Sequence, residues 1–179
     1  MEKATLAGGC FWCTEALFKR LNGVESVISG YSGGNMENPS YEKVSMGTTH
    51  HAEAIQITFD PLVISYEKLL DVFFATHNPT TLNQQGADIG TQYRSIIFYH
   101  SDEQKRKALA AKEKIAKEEK FEKDIVTEVI PFNTFYQAEE YHQNFYENNK
   151  TSPYCSLVID PKIKKLLKEF KGEVKETYK

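Results

Sequence analysis

The chain has 179 residues, of which 40% are hydrophobic and 26% charged, with a formal net charge of −3 and three cysteines. This size and composition fit one globular domain with a core of its own, and the weak net charge gives no reason to expect nucleic acid as a partner. We expect neither a membrane span, which needs ~20 consecutive apolar residues, nor a cleaved leader. The odd number of cysteines favours reactive thiols in a reducing, cytoplasmic environment.

The chain is organised around a cysteine-containing stretch near its N-terminus, Gly8 to Glu15 (GGCFWCTE). The apolar run Ala4–Ala7 precedes it, and apolar residues at helical spacing follow it. We therefore predict a short strand, a turn hinged on glycine, and a helix that begins near Cys10 or Phe11. A cysteine at a helix N-terminus is favoured as a thiolate. The alternative is that Cys10 and Cys13 are small buried hydrophobic residues.

The rest of the chain alternates strands and helices. Hydrophobic patterning and capping residues predict strands over 24–31, 52–59, 95–99 and 125–130, and helices over 65–76, from Ser101 or Asp102 to about Lys120, over 138–145, and from Pro161. Between them lie a turn-rich stretch over 35–49, a long loop over 77–93, and a loop that carries Pro153-Tyr154-Cys155.

This order of elements predicts an α+β fold. We expect a ferredoxin-like split βαβ arrangement, a two-layer sandwich in which a mixed or antiparallel sheet carries helices on one face. The whole chain, 1–179, would form one domain, with an α/β core over 1–130 and a long irregular C-terminal tail over 131–179 that carries Cys155. A thioredoxin-like arrangement is the alternative, because it also places Cys-x-x-Cys between a strand and a helix.

Four further residues are candidates for chemistry. Glu53 shares a strand face with Ile55, Ile57 and Phe59, and burial there would raise the pKa of its carboxyl group so that it holds a proton at neutral pH. Asp88, Tyr41 and Tyr93 lie in polar loops. The structural alternatives are a solvated strand-end charge for Glu53, a turn residue for Asp88, and half-buried packing for the two tyrosines.

We expect no metal site. The five histidines, at 50, 51, 77, 100 and 142, show no ligand spacing. A zinc site of three cysteines and one histidine is conceivable, but the aromatic residues inside Cys-x-x-Cys and the single further cysteine argue against it.

The motifs in this chain resemble, in order, those of the A-type peptide methionine sulfoxide reductases. The resemblance runs from about Leu6 to Cys155 and covers Gly-Cys-Phe-Trp, Gly30-Tyr31-Ser32-Gly33-Gly34, Asn38-Pro39-x-Tyr41, Gly47-Thr48-Thr49-x-His51-Ala52-Glu53, Asn83-x-Gln85-Gly86-x-Asp88-x-Gly90-x-Gln92-Tyr93-Arg94-Ser95 and Ala138-Glu139-x-Tyr141-His142-Gln143. It implies an α+β fold and a thiol-based reduction of the S epimer of methionine sulfoxide, free or in proteins.

The resemblance also implies roles for the candidate residues. Cys10 would attack the sulfoxide sulfur, and Glu53 would act as the acid. Tyr41 and Tyr93 would donate hydrogen bonds to the sulfoxide oxygen, with Asp88 in support. Phe11 and Trp12 would hold the S-methyl group. Cys10 would be left as a sulfenic acid and return through a disulfide. No cofactor is expected, only an external dithiol such as thioredoxin, with oxidised proteins and methionine sulfoxide as substrates and the chain acting as a monomer.

Two positions depart from the family pattern, which commonly has glycine at Cys13 and at His50. Histidine tolerates a positive φ less well than glycine, which concerns the loop before Glu53.

Cys155 occupies the place of the family's C-terminal resolving cysteine, so two thiols compete for that role. We predict a relay from Cys10 to Cys13 to Cys155, because a neighbour one helical turn away needs no loop movement. A direct Cys10–Cys155 bond with an inert Cys13 is the alternative.

Two functions of other classes stay open at this point. A thioredoxin-like disulfide exchanger would use Cys10 and Cys13 but would need no acid such as Glu53. A zinc-stabilised binding module would lose its fold with a chelator.

Overall fold

The computed structural model describes residues 1–118 and 121–179. Its strands are β1 (Glu2–Gly8), β2 (Val24–Ser32), β3 (Ala52–Phe59), β4 (Gln84–Gln85), β5 (Asp88–Ile89), β6 (Ser95–Tyr99), β7 (Glu128–Pro131) and β8 (Phe135–Gln137). Its α-helices are α1 (Phe11–Phe18), α2 (Tyr41–Ser45), α3 (Tyr66–Thr76), α4 (Asp102–Lys117), α5 (Phe145–Asn148) and α6 (Asp160–Glu169).

Six strands form one mixed sheet in the order β7-β6-β1-β3-β2-β8. The four central strands, β6-β1-β3-β2, are antiparallel to one another and have the split βαβ order. Strand β7 pairs with β6 in parallel at the edge of the sheet. The predicted ferredoxin-like α+β fold is confirmed.

The helices cover one face of this sheet. Apolar residues of α1, α3, α4 and α6 join Leu6 of β1 and Ile55 and Ile57 of β3 in one large buried cluster. Ala52 and Ala54 of β3 belong to a smaller cluster with residues of β1 and β6. Because side chains alternate along a strand, these two clusters lie on opposite faces, and Glu53 faces the helices.

The segment 131–179 is more structured than its sequence predicts. Strand β8 pairs with β2 at the sheet edge, Gly30 opposite Gln137, where a Cβ on Gly30 would lie 2.4 Å from the Tyr136 carbonyl oxygen. The helix predicted over 138–145 is wrong: a 3₁₀ turn occupies Glu140–His142, and Asn144 then takes a left-handed conformation with φ 55°. The predicted end of α4 at Lys120 lies outside the described residues.

Two other stretches also contain short elements that the sequence did not predict. Helix α2 lies in the turn-rich stretch over 35–49, with Ser40 as its N-cap. The loop over 77–93 contains the β4–β5 hairpin and a 3₁₀ turn at Thr91–Tyr93. Among the described residues no helix is long and apolar enough to cross a membrane.

Candidate active site

Cys10 lies on the turn between β1 and α1, as predicted. Gly9 has φ +91°, and a Cβ there would lie 2.6 Å from the side chain of Gln85, so the turn requires glycine. Cys10 is the N-cap of α1, and its carbonyl accepts hydrogen bonds from the amides of Cys13 (3.1 Å) and Thr14 (3.4 Å). Its side chain is only 7% exposed.

Cys10 and Cys13 form a coupled pair of thiols. Burial raises the pKa of Cys10 well above its ordinary value, and a hydrogen bond with Cys13 and the charge of Glu53 add to that rise. The same hydrogen bond lowers the pKa of Cys13 to about 7, against the effect of burial, with help from Lys162. The expectation of a resting thiolate on Cys10 is therefore wrong, because desolvation outweighs the helix N-terminus. Of the two thiols, Cys13 is therefore the one that ionises more readily.

Glu53 is placed beside the nucleophile by its strand. Its Oε2 accepts a hydrogen bond of 3.0 Å from the amide of Phe11, the residue after Cys10. The side chain is 2% exposed, and this burial raises the pKa of its carboxyl group to about 8, although the Phe11 amide acts in the opposite direction. A carboxylic acid that is protonated at neutral pH next to a thiol is what the sequence predicts for Glu53.

The loop residues predicted for the site converge on the same place. Burial raises the pKa values of Tyr41 and Tyr93, and the charges of Glu53 and Cys10 raise both further. The charge of Asp88 also raises the pKa values of Tyr93 and Glu53.

Hydrogen bonds between neighbouring loops fix this arrangement. Gln92 Nε2 donates to the Ser45 carbonyl at 3.0 Å, and Arg94 donates to the His50 carbonyl at 3.0 Å. His50 has φ 58° and so adopts the left-handed conformation for which glycine would be better suited.

Phe11 and Trp12 differ in their access to the surface. Phe11 is fully buried between Tyr31 and His142, with ring centroids at 5.8 and 5.1 Å. Trp12 is half-buried, its Nε1 donates to His142 Nδ1 at 3.0 Å, and its ring stacks on Phe145 at 3.7 Å with an interplanar angle of 6°. Of the two, Trp12 therefore offers the apolar surface to a ligand.

Tyr154 is a site residue that the sequence analysis did not single out. Its hydroxyl donates to Asp88 Oδ2 at 2.9 Å and lies 3.8 Å from Cys13 Sγ, and it also hydrogen-bonds Cys10. Its ring lies edge-on to Trp12 at 5.6 Å. Its position directly before Cys155 was the available signal.

The site also includes Glu139 and His142, which the sequence analysis quoted within a motif but gave no role. Glu139 accepts hydrogen bonds from the Tyr31 hydroxyl (2.7 Å) and from the Tyr41 amide (2.8 Å). The His142 ring lies 4.4 Å from that of Tyr41. Together they connect the C-terminal segment to the loop residues of the site.

Cys155 is fully buried, and it lies on a helical segment rather than on the predicted loop. It begins a π-helix, Cys155–Ile159, which continues into α6. Its amide donates to Ser152 Oγ at 3.3 Å, and its side chain belongs to the core that includes Cys10 and Cys13. All three cysteines are free thiols.

In the described part of the chain, no three histidine, cysteine, aspartate or glutamate side chains are grouped to hold a metal ion. The chemistry available is that of two coupled thiols, a buried carboxylic acid and three phenols. These groups are suited to a reaction in which a cysteine sulfur attacks a substrate and an acid transfers a proton to an oxygen atom of that substrate.

Comparisons with known proteins agree with this description. A family model for peptide methionine sulfoxide reductase matches residues 2–175. A peptide methionine sulfoxide reductase MsrA of Sulfolobus acidocaldarius is 59% identical over 172 residues, which is 95% of this chain and 96% of that protein. The MsrA of Saccharolobus solfataricus is 57% identical over 176 residues, 98% of each chain.

Solved structures match the fold as well. Reduced Mxr1 from Saccharomyces cerevisiae has a TM-score of 0.80 and 39% identity over 86% of this chain and 88% of its own. Methionine sulfoxide reductase A of Corynebacterium diphtheriae has a TM-score of 0.81 and 30% identity over 84% of this chain and 76% of its own. Mxr1 in complex with Trx2 has a TM-score of 0.57 and 31% identity over 80% of this chain and 84% of its own.

Proposed function

The chain belongs to the peptide methionine sulfoxide reductase MsrA family, which reduces methionine sulfoxide and repairs oxidised proteins, and we propose that Cys10 performs the reduction through a sulfenic acid and an intramolecular disulfide. The observation that carries this mechanism is the buried position of the Glu53 carboxyl group, which is held by the amide next to Cys10 and whose pKa burial raises to about 8. A sulfoxide sulfur is a weak electrophile until its oxygen is protonated or hydrogen-bonded.

In the first step, the sulfur of Cys10 attacks the sulfoxide sulfur while Glu53 gives its proton to the sulfoxide oxygen. The proton of Cys10 has an acceptor in the hydrogen-bonded sulfur of Cys13. The attack forms a bond between the two sulfurs, and the hydroxyl group then moves from the methionine sulfur to the sulfur of Cys10. The S–O bond to the methionine sulfur and the S–S bond both break, the electron pair of the S–S bond leaves with methionine, and Cys10 is left as the sulfenic acid. The thiol is oxidised by two electrons and the sulfoxide is reduced by two.

The surrounding phenols and Trp12 would orient the substrate. Tyr41 and Tyr93 remain protonated, because burial raises their pKa values, and so can donate hydrogen bonds to the sulfoxide oxygen. The half-buried face of Trp12 would contact the S-methyl group, with the enclosed ring of Phe11 behind the nucleophile. Asp88 would keep the polar side of the site in place through Tyr154.

In the second step, Cys13 attacks Cys10. Cys13, which took the proton of Cys10 in the first step, gives that proton to the oxygen of the sulfenic acid. The sulfur of Cys13 then displaces water, and a Cys10–Cys13 disulfide forms. Three observations support Cys13 as the first attacker: its position one turn along α1, its hydrogen bond with Cys10, and its pKa of about 7. Cys155 is buried in a π-helix, and its neighbour Tyr154 occupies the surface of the two thiols.

In the third step, the thiolate of Cys155 attacks the sulfur of Cys13. The Cys10–Cys13 bond breaks, Cys10 leaves as the thiolate, and a Cys13–Cys155 disulfide forms on the C-terminal segment. An external dithiol then reduces it, with thioredoxin as the proposed reductant, since a similar protein, Mxr1, forms a complex with Trx2. Because Cys155 is fully buried, the C-terminal segment would have to move for an external dithiol to reach this disulfide. We propose that this movement follows the chemical step.

Turnover on the separated epimers of methionine sulfoxide, with a small dithiol as reductant, tests the proposed function. We expect methionine from the S epimer and none from the R epimer, both for the free amino acid and for an oxidised peptide. Equal turnover of both epimers, or disulfide reduction without sulfoxide turnover, would contradict it and favour the disulfide exchanger.

A further inference from the structure

The mechanism leaves one buried charge of the central motif without a role, that of Glu15. Glu15 lies on α1, one turn after Trp12, and its side chain is 3% exposed. Burial raises the pKa of this carboxyl group, and the amides of Asn144 and Phe145 and the charge of Lys19 act in the opposite direction. A buried carboxylate is tolerated only where such partners satisfy it.

The partners of Glu15 lie on the C-terminal segment, directly before α5. Glu15 Oε1 accepts a hydrogen bond of 2.8 Å from the amide of Asn144. Lys19, one turn further along the chain, donates to the side-chain oxygen of the same asparagine. Helix α1 therefore holds Asn144 at two points, the backbone and the side chain.

Asn144 sets the direction of the chain at this point. It has φ 55° and ψ 31°, a left-handed conformation, and α5 begins at the next residue. A helix of four residues has no stability of its own, so its position depends on such contacts. The first residue of α5, Phe145, is the one that stacks on Trp12 at 3.7 Å.

We propose that Glu15 is a positioning residue: it holds Asn144 in the left-handed conformation and thereby keeps Phe145 stacked on Trp12. The carboxylate and the indole lie three residues apart on α1, so the two sides of the stack are fixed from the same helix. This inference rests on the proposed function in one respect, the assignment of Trp12 as the surface that contacts the S-methyl group.

Trp12 is the single tryptophan of the chain, so its fluorescence reports this stack directly. The test compares Glu15→Ala, Glu15→Asp and Glu15→Gln with the wild-type protein, and measures emission together with KM and kcat for an S-sulfoxide. Aspartate keeps the charge but is too short to reach Asn144, whereas glutamine keeps an acceptor oxygen at the same reach.

We expect the emission of the alanine and aspartate variants to shift to longer wavelength as the indole loses its cover. Their KM should rise roughly 2- to 10-fold, the range for the loss of one aromatic stack, while kcat changes little. Glutamine should restore both quantities, and Phe145→Leu, which leaves Glu15 in place, should reproduce the shift in emission and in KM.

Wild-type emission in folded Glu15→Asp or Glu15→Ala would overturn the inference, and the aspartate variant decides the matter if the alanine variant does not fold. If emission shifts in both variants and in Phe145→Leu while KM stays unchanged, the positioning role of Glu15 stands. The assignment of Trp12 to the substrate then fails instead, which separates the inference from the proposed function.

Discussion

Cys13 and Cys155 are buried to the same degree, 1% and 0% exposed, yet the structure gives them different access to Cys10. Cys13 lies on α1, one turn from Cys10, and shares a hydrogen bond with it. Cys155 lies on the π-helix of the C-terminal segment, and it is the hydroxyl of the preceding residue, Tyr154, that lies 3.8 Å from Cys13 Sγ. Because the two thiols are equally buried, we expect the rearrangement that each one needs, rather than its burial, to decide which thiol reacts first with Cys10.

The two regions also differ in how they are held. Helix α1 is packed on the central strands through several apolar side chains of the main cluster. The segment around Tyr154 and Cys155 also packs on this cluster, through Cys155 and Ile159, but its backbone is an irregular helix and the Tyr154 hydroxyl ties it to Asp88. Because π-helical segments are rare and often lie at functional sites, this segment is where we expect the conformational change.

The largest expected effect is that of Cys10→Ser. Cys10 is the proposed nucleophile, and Cys13 and Cys155 only react after it has been oxidised. This variant should therefore reduce no sulfoxide beyond the uncatalysed background, even with a small dithiol. The control is Cys155→Ser, which should still release one methionine per chain in a single turnover without reductant. Appreciable turnover by Cys10→Ser would place the nucleophile elsewhere.

The next largest effect is expected for Glu53→Gln, which tests whether Glu53, on β3 beside the start of α1, is the acid. Glutamine can donate a hydrogen bond but cannot transfer a proton, so the single-turnover rate of methionine formation should fall by ~10²- to 10⁴-fold. Asp88→Asn serves as the comparison, since Asp88 acts through Tyr154 in this account and should cost less. A near wild-type rate for Glu53→Gln would contradict the assignment.

The pH dependence of the same step provides a third test. The pKa of Glu53 is raised to about 8 in the folded protein, so the acid holds its proton below that value and loses it above. The rate of methionine formation should therefore rise up to pH ~7, where Cys13 becomes the thiolate that accepts the Cys10 proton, and fall about tenfold per pH unit above pH ~8. The Glu53→Gln variant should lack this decline. A wild-type rate that rises through pH 8 would mean that ionisation of Cys10 limits the step.

The smallest effect concerns Tyr154→Phe, which loosens only the C-terminal region. Loss of the hydrogen bond to Asp88 should increase the alkylation rate of Cys155 about tenfold, in a background where Cys10 and Cys13 are serine. Tyr66→Phe is the matched control, because the Tyr66 hydroxyl is buried and has no hydrogen-bond partner among the described residues. Equal protection of Cys155 in Tyr154→Phe and wild type would show that this contact does not hold the segment.

The sequence predicted the N-terminal region better than the C-terminal one. The bounds of β3 and β6 agree with the predicted 52–59 and 95–99, because the side chains of β3 alternate between two faces and β6 is a continuous apolar run. Strand β8 and helix α5 were missed, since elements of three or four residues depend on tertiary contacts rather than on local propensity.

The sequence likewise predicted some properties of the site residues and not others. The protonated carboxyl group of Glu53 followed from strand alternation, whereas the raised pKa of Cys10 depends on a burial that no local pattern reveals. Tyr154 was missed because contact with the thiols requires the C-terminal segment to fold back onto α1. The single-domain organisation and the monomeric state stay predictions.

The central claim is that Cys13 attacks Cys10 before Cys155 does. Disulfide mapping by mass spectrometry after one turnover without reductant tests it most directly, in the wild-type chain and in Cys155→Ser. We predict a Cys10–Cys13 disulfide trapped in Cys155→Ser, with methionine released at the wild-type rate. A lasting sulfenic acid on Cys10 in that variant, with Cys13 still reduced, would contradict the relay and leave Cys155 as the direct partner of Cys10.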